Sequence, residues 1–160
     1  MSWSQVIEAV HVLIGFGFVA GLVGRGITLA GARRATRIDA MEELLAVAGR
    51  FDRFLVIPGS AAVLVAGLLT MWAQGRSLFA PHGWWLGVSL IVFLSSIPLV
   101  PLIFVPRGKR FEAAFQHAKA RGEVTPELAA AFRDGRVAFA RAYELAMVAT
   151  VIVLLVTKPF

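Results

Sequence analysis

Three ionisable side chains stand inside an apolar run near the start of the chain. The run "EAVHVLIGFGFVAGLVGRG", Glu8 to Gly26, holds Glu8, His11 and Arg25 together with five glycines. On a helix, steps of three and four bring residues to one face. Glu8, His11, Gly15, Phe18, Leu22 and Arg25 follow those steps and form one stripe. Glu8 and His11 have the ExxH spacing of carboxylate-bridged metal sites in bundles, but such sites need two copies and this chain has one. His11 as an axial ligand to haem b, or to a single metal ion, is the sharper reading: a neutral imidazole suits iron. Gly15, one turn on, would leave room for a flat macrocycle, and Glu8 would orient the imidazole. A sixth ligand would have to come from His82, from a group other than histidine, or from a second copy. The plain alternative is a hydrogen-bonded packing histidine. Near the other end of the stripe, Arg25 reads as the partner of Glu144, with Arg141 one turn from Glu144. These three are expected to form structural ion pairs, since intramembrane charges pair where they can. The alternative is an anion- or proton-handling site of a small transporter or channel, in a cavity among helices bent by Pro58, Pro98 and Pro101.

The elements that must position these groups follow from composition. Of 160 residues, 58% are hydrophobic and 16% charged, with mean hydropathy +0.76. That is more apolar surface than one small core can hide, so lipid is the solvent for much of it. Four segments have the ~20 apolar residues that a spanning helix needs: roughly 6–30, 54–72, 84–105 and 137–157. Each must be helical, because open strands leave backbone groups unpaired in hydrocarbon. The expected fold is therefore all-α, a single four-span bundle with short amphipathic helices in the two basic loops. "TPEL", Thr125 to Leu128, is a helix start, with Thr125 as cap and Pro126 first. "DAMEELLAVAGR", Asp39 to Arg50, reads alike, with Asp39 as cap and Gly49 near the end. The arginines of these helices would meet anionic lipid at the membrane surface.

Charge sets the direction. The net charge of +6 falls in loops between apolar runs, as a topology signal and not a nucleic-acid footprint. Residues 31–53 carry Arg33, Arg34, Arg37, Arg50 and Arg53, and residues 106–136 carry Arg107, Lys109, Arg110, Lys119, Arg121, Arg133 and Arg136. Both loops lie on one side of a four-span threading, so they are cytoplasmic and the termini lie outside. Trp3, Trp72, Trp84 and Trp85 all fall at the outer boundary, where tryptophan prefers to sit. No cysteine is present, so thiolate chemistry and disulfides are excluded. No nucleophile motif, phosphate loop or catalytic carboxylate pair stands out, and an enzyme is the weaker expectation. "GLVGRG" at Gly21 to Gly26 follows no strand and carries no nucleotide reading. "GFVAG", Gly17 to Gly21, has the small-xxx-small spacing that lets helices approach closely.

"HVLIGFGFVAGLVGR", "RFDRFLVIPGSAAVLVAGLLT", "LSSIPLVPLIFVPRGKRFE" and the terminal "VTKPF" together resemble a bacterial family of predicted integral membrane proteins of unknown function. The resemblance covers nearly the whole chain and implies four spans in a bacterial inner membrane. More distantly, the early histidine followed by glycines, with the terminal "KP", is similar to the HemJ-type protoporphyrinogen oxidases and the CopD-type copper-resistance proteins. In the HemJ group the first-span histidine is associated with haem, and His11 matches it. That group also has a third-span lysine, where "WWLGVSLIV" has none, so the oxidase activity does not carry over. The methionines Met1, Met41, Met71 and Met147 form no cluster of the kind copper handling recruits. The reading that follows is a structural or accessory subunit, or an assembly factor, of a larger membrane complex. Its partners would be lipid and other membrane subunits or copies of itself. The haem or metal protein and the small transporter are the alternatives.

Overall fold

A computed structural model describes residues 2–78 and 83–158. Among them the chain is all-helical, with no strand. The helices are α1 (Trp3–Arg34), α2 (Ile38–Phe51), α3 (Ile57–Ala73), α4 (Trp84–Leu94), α5 (Val105–Arg121), α6 (Pro126–Phe132) and α7 (Gly135–Thr157). Three helical stretches, Trp3–Arg34, Ile38–Ala73 and Pro126–Thr157, are long and apolar enough to cross a membrane. The expected third span, 84–105, is different: α4 has 11 residues, about 16 Å at a rise of ~1.5 Å per residue, half of the ~30 Å hydrocarbon core. The reason lies in Pro98 and Pro101, which have no N–H to give and whose rings clash with carbonyls a turn back. The backbone tightens to three-residue steps there: Ile97 N–H donates to Leu94 C=O, Leu99 to Ser96 and Val100 to Ile97. The Ser95 and Ser96 hydroxyls donate to the carbonyls of Val92 and Phe93.

Two wide turns of π type punctuate the chain, at Asp52–Val56 and Val100–Phe104. Each closes with a five-residue bond, Ile57 N–H to Asp52 C=O and Val105 N–H to Val100 C=O. Each stands two residues ahead of a proline, Pro58 and Pro106. A proline ring needs space at the carbonyl four residues back, and a widened turn supplies it. For this reason α2 runs on into α3 and does not stop at Gly49. Gly49 has an ordinary helical backbone; positive φ among the described glycines occurs at Gly75 and Gly122. Nor does Asp39 cap α2. It sits in the first turn and accepts from Arg37 Nη2 at 3.2 Å.

The chain divides into two compact units, Met1–Ala32 with Glu43–Trp84, and Arg33–Glu42 with Trp85–Phe160. In the first, α1 lies antiparallel to the α2–α3 stretch. The pairings descend in order: Glu8 with Gln74, His11 with Gly67, Phe18 with Gly59, Gly21 with Leu55 and Val56, Gly24 with Phe51, Gly31 with Leu44. Phe18 and Leu22 are buried in this seam, as the stripe read from the sequence requires. The small-xxx-small pair divides. Gly21 is in the seam, whereas a β-carbon at Gly17 would meet nothing within 4 Å.

In the second unit, Phe111, Phe115, Leu128 and Phe132 build a small core between α5 and α6. Leu128 is wholly buried, and the Phe111 and Phe132 rings meet edge to face at 4.8 Å. Gly122, at φ +70°, caps α5 in the left-handed conformation that glycine adopts without a β-carbon clash. Thr125 caps α6 as its sequence predicts, its Oγ1 accepting from Leu128 N–H at 3.3 Å. Ser95 Oγ and Tyr143 Oη share a hydrogen bond of 2.6 Å between the broken third segment and α7. Asp134 has two tasks: it caps α7 by accepting from the N–H groups of Arg136 and Val137, and it accepts from Arg107 Nη1 at 2.7 Å. Replacing Asp134 by Ala removes cap and ion pair together. A thermal melt in detergent should register the loss as a lower midpoint, because a cap and a charged hydrogen bond go together. Asp134→Asn should recover the capping part. Trp3 and Trp72 are exposed, as interfacial tryptophans should be, but Trp85 is 4% exposed. One of the four expected boundary markers is thus a core residue.

Candidate functional site

The ionisable residues of α1 occupy the two ends of the α1–α3 seam. At one end Glu8 is exposed and accepts a 3.0 Å bond from Gln74 Nε2. One turn along, the His11 ring lies over Gly67, where a β-carbon would stand 3.1 Å from Cε1 and 3.6 Å from Nδ1. The ring is hydrogen-bonded to the backbone of Val63. Nδ1 is buried with no hydrogen-bond partner. A β-carbon at position 67 would push the imidazole back by a few tenths of an ångström, so glycine brings the ring close to α3.

This arrangement bears on each predicted role. Glu8 pairs with Gln74, while the orienting bond to His11 comes from α3 backbone. Gly15 does have open space beside it: a β-carbon there meets nothing within 4 Å. Nδ1 is buried against α3. The imidazole would have to rotate before it took an axial position on a haem or a metal ion. Among the described residues no group of three His, Asp or Glu side chains is placed to hold a metal ion. His82 lies outside the described residues, as do the last two residues of the terminal "VTKPF".

At the other end of the seam, Arg25 donates from Nη1 to Asp52 Oδ1 at 3.0 Å, with the arginine side chain 12% exposed and the aspartate 39%. Asp52 opens the first π-type turn, and its position there aims the carboxylate across to α1. Asp52 was not among the residues that sequence reasoning singled out. The available signal was an acidic side chain directly ahead of an apolar run, at the same depth as Arg25 in an antiparallel hairpin. Arg141 and Glu144 are half-buried, one turn apart on α7 in the second unit.

The geometry describes a spanning helical hairpin closed at both ends by polar pairs and zipped between them by four glycines. Residues 5–159 match the family described as "Predicted integral membrane protein (DUF2269)". No curated protein and no solved structure matches the chain.

Proposed function

The chain belongs to this family of predicted integral membrane proteins, and from that premise we propose that it is a four-span accessory or assembly subunit of a larger complex in the bacterial inner membrane. Its two basic loops are cytoplasmic and its termini outside. The observation that carries the subunit reading is how little apolar surface the chain covers for itself. In the three long apolar stretches, 11–17% of the most apolar window is buried. Leu13, Phe16, Ile27, Ile57, Ile91 and Leu102 are each more than two-thirds exposed. Gly15, Gly17 and Gly26 on α1 have open space beside them, so a further spanning helix can approach there. The four-span threading is supported by the turn and helix hydrogen bonds that continue around Pro98 and Pro101 in the third segment, since a membrane requires backbone groups to be paired.

The absence of native cysteine makes the threading directly testable. Single-cysteine variants at Ser77, Thr36 and Ala120 are labelled with an impermeant maleimide in whole cells. Four spans place Thr36 and Ala120 together inside and Ser77 outside. Labelling of Ala120→Cys together with Ser77→Cys overturns the third crossing. For the subunit role, the protein purified at native abundance should migrate well above its own 17.3 kDa, with other chains attached. Gly17→Leu, whose β-carbon would meet nothing within 4 Å among the described residues, should shed them. A single chain unaffected by the substitution overturns the role.

A second reading rests on His11 Nδ1, a buried imidazole nitrogen without a hydrogen-bond partner, on the helix that also carries the open space at Gly15. A ring rotation would present it to haem b or a metal ion. The absorption spectrum of the purified protein, oxidised and reduced, beside His11→Ala decides it: a colourless, metal-free protein makes His11 a packing residue.

A further inference from the structure

Of the sixteen basic residues, some have an acidic partner and others stand exposed without one. Arg25, Arg37, Arg107, Lys119 and Arg121 are each within ion-pair distance of an acid: Asp52, Asp39, Asp134, Glu42 and Glu123 respectively. Exposed basic residues with no carboxylate against their charged atoms among the described residues include Arg50 and Arg53 of the first unit, Lys158 at the end of α7, and a set of six in the basic loops: Arg33, Arg34, Lys109, Arg110, Arg133 and Arg136. All six belong to the second unit. They stand in pairs within a turn or two of an apolar segment's end. Arg33 and Arg34 close α1, Lys109 and Arg110 follow the second π-type turn, and Arg133 and Arg136 precede the apolar run of α7.

The acids of this unit do not offset them. Asp39, Glu42, Glu123 and Asp134 already have basic partners, Glu112 accepts from Gln116, Glu127 stands in the first turn of α6, and Glu144 is half-buried on α7, one turn from Arg141. At a rise of ~1.5 Å per residue, Lys109 and Arg110 lie about 6–8 Å beyond Val105, the depth of phospholipid headgroups next to the hydrocarbon edge. On α5 the buried side is marked by Phe115 and Ala118, whereas Lys109 and Arg110 are exposed.

We propose that these three pairs form a collar that binds the phosphate groups of anionic phospholipids, selecting them over zwitterionic lipid around the segment ends. The attraction is electrostatic and short-ranged, as for other juxtamembrane basic clusters. The collar takes only its cytoplasmic side from the threading proposed above. The headgroup preference is tested without it, so a failed threading and a failed collar give different results.

The full chain is purified in mild detergent from an equal mixture of phosphatidylglycerol and phosphatidylcholine, and the retained lipid is quantified by mass spectrometry. Phosphatidylglycerol should be enriched several-fold over the mixture, and the enrichment should decline with added salt. Lys109→Gln/Arg110→Gln should remove a large part of it. Arg76→Gln/Lys158→Gln removes the same charge from the other ends of the apolar segments and should retain it. A melt of each variant in phosphatidylcholine alone confirms folding. Equal retention of the two lipids by the native protein overturns the proposal. Equal loss in both variants does so too, because net charge and not the collar would then be responsible.

Discussion

Gly21→Ala should destabilise the protein by about 1–3 kcal/mol, the usual cost of forcing a methyl group into a close-packed contact. The added β-carbon would stand 2.7 Å from Cβ of Leu55 and 3.2 Å from a Val56 methyl. A β-carbon is fixed to its backbone, so α1 and the π-type turn must separate to admit it. Gly24→Ala makes a shorter nominal contact, 2.5 Å, but with the outer atoms of the Phe51 ring. A ring edge can swing aside, so this second substitution should cost less. Gly15→Ala and Gly17→Ala meet nothing within 4 Å and should be neutral or stabilising by up to about 1 kcal/mol, the ordinary helix preference for Ala over Gly. Unfolding midpoints of the four variants in mixed micelles give the ranking. Equal effects at Gly21 and Gly17 would mean that the α1–α3 seam is not where the structure has it.

Asp52→Ala should cost about 1–3 kcal/mol, the range for removing one partner of a charged hydrogen bond and leaving the other poorly solvated. The Arg25 side chain is nearly buried while Asp52 is partly exposed, so the penalty falls mainly on the arginine side. A cycle of Asp52→Ala, Arg25→Met and the double variant isolates the pair. The double variant should be less damaged than the sum of the singles, by at least ~0.5 kcal/mol for groups in contact. Strict additivity would deny the coupling. The same substitutions touch neither His11 nor the basic collar, so lipid selectivity and any spectral signal should be unchanged in them.

What could be read from the sequence was what depends on local chemistry. An excess of apolar residues over what one small core can bury decided that lipid is the solvent, and lipid as solvent decided that the chain is helical. The threonine–proline start of α6 needed only four residues to announce itself, because a cap is made within one turn. The three-and-four stripe of α1 correctly turned His11, Phe18, Leu22 and Arg25 toward a neighbouring helix. Which residues of the neighbour they meet depended on register, and register is set by the whole length of two helices together. It chose Asp52 for Arg25, Val63 for His11 and Gln74 for Glu8, and separated the used glycines from the open ones. The π-type turns were likewise beyond a local reading. Proline forbids one backbone bond, but whether the chain breaks, kinks or widens around the missing bond is decided by what packs against it.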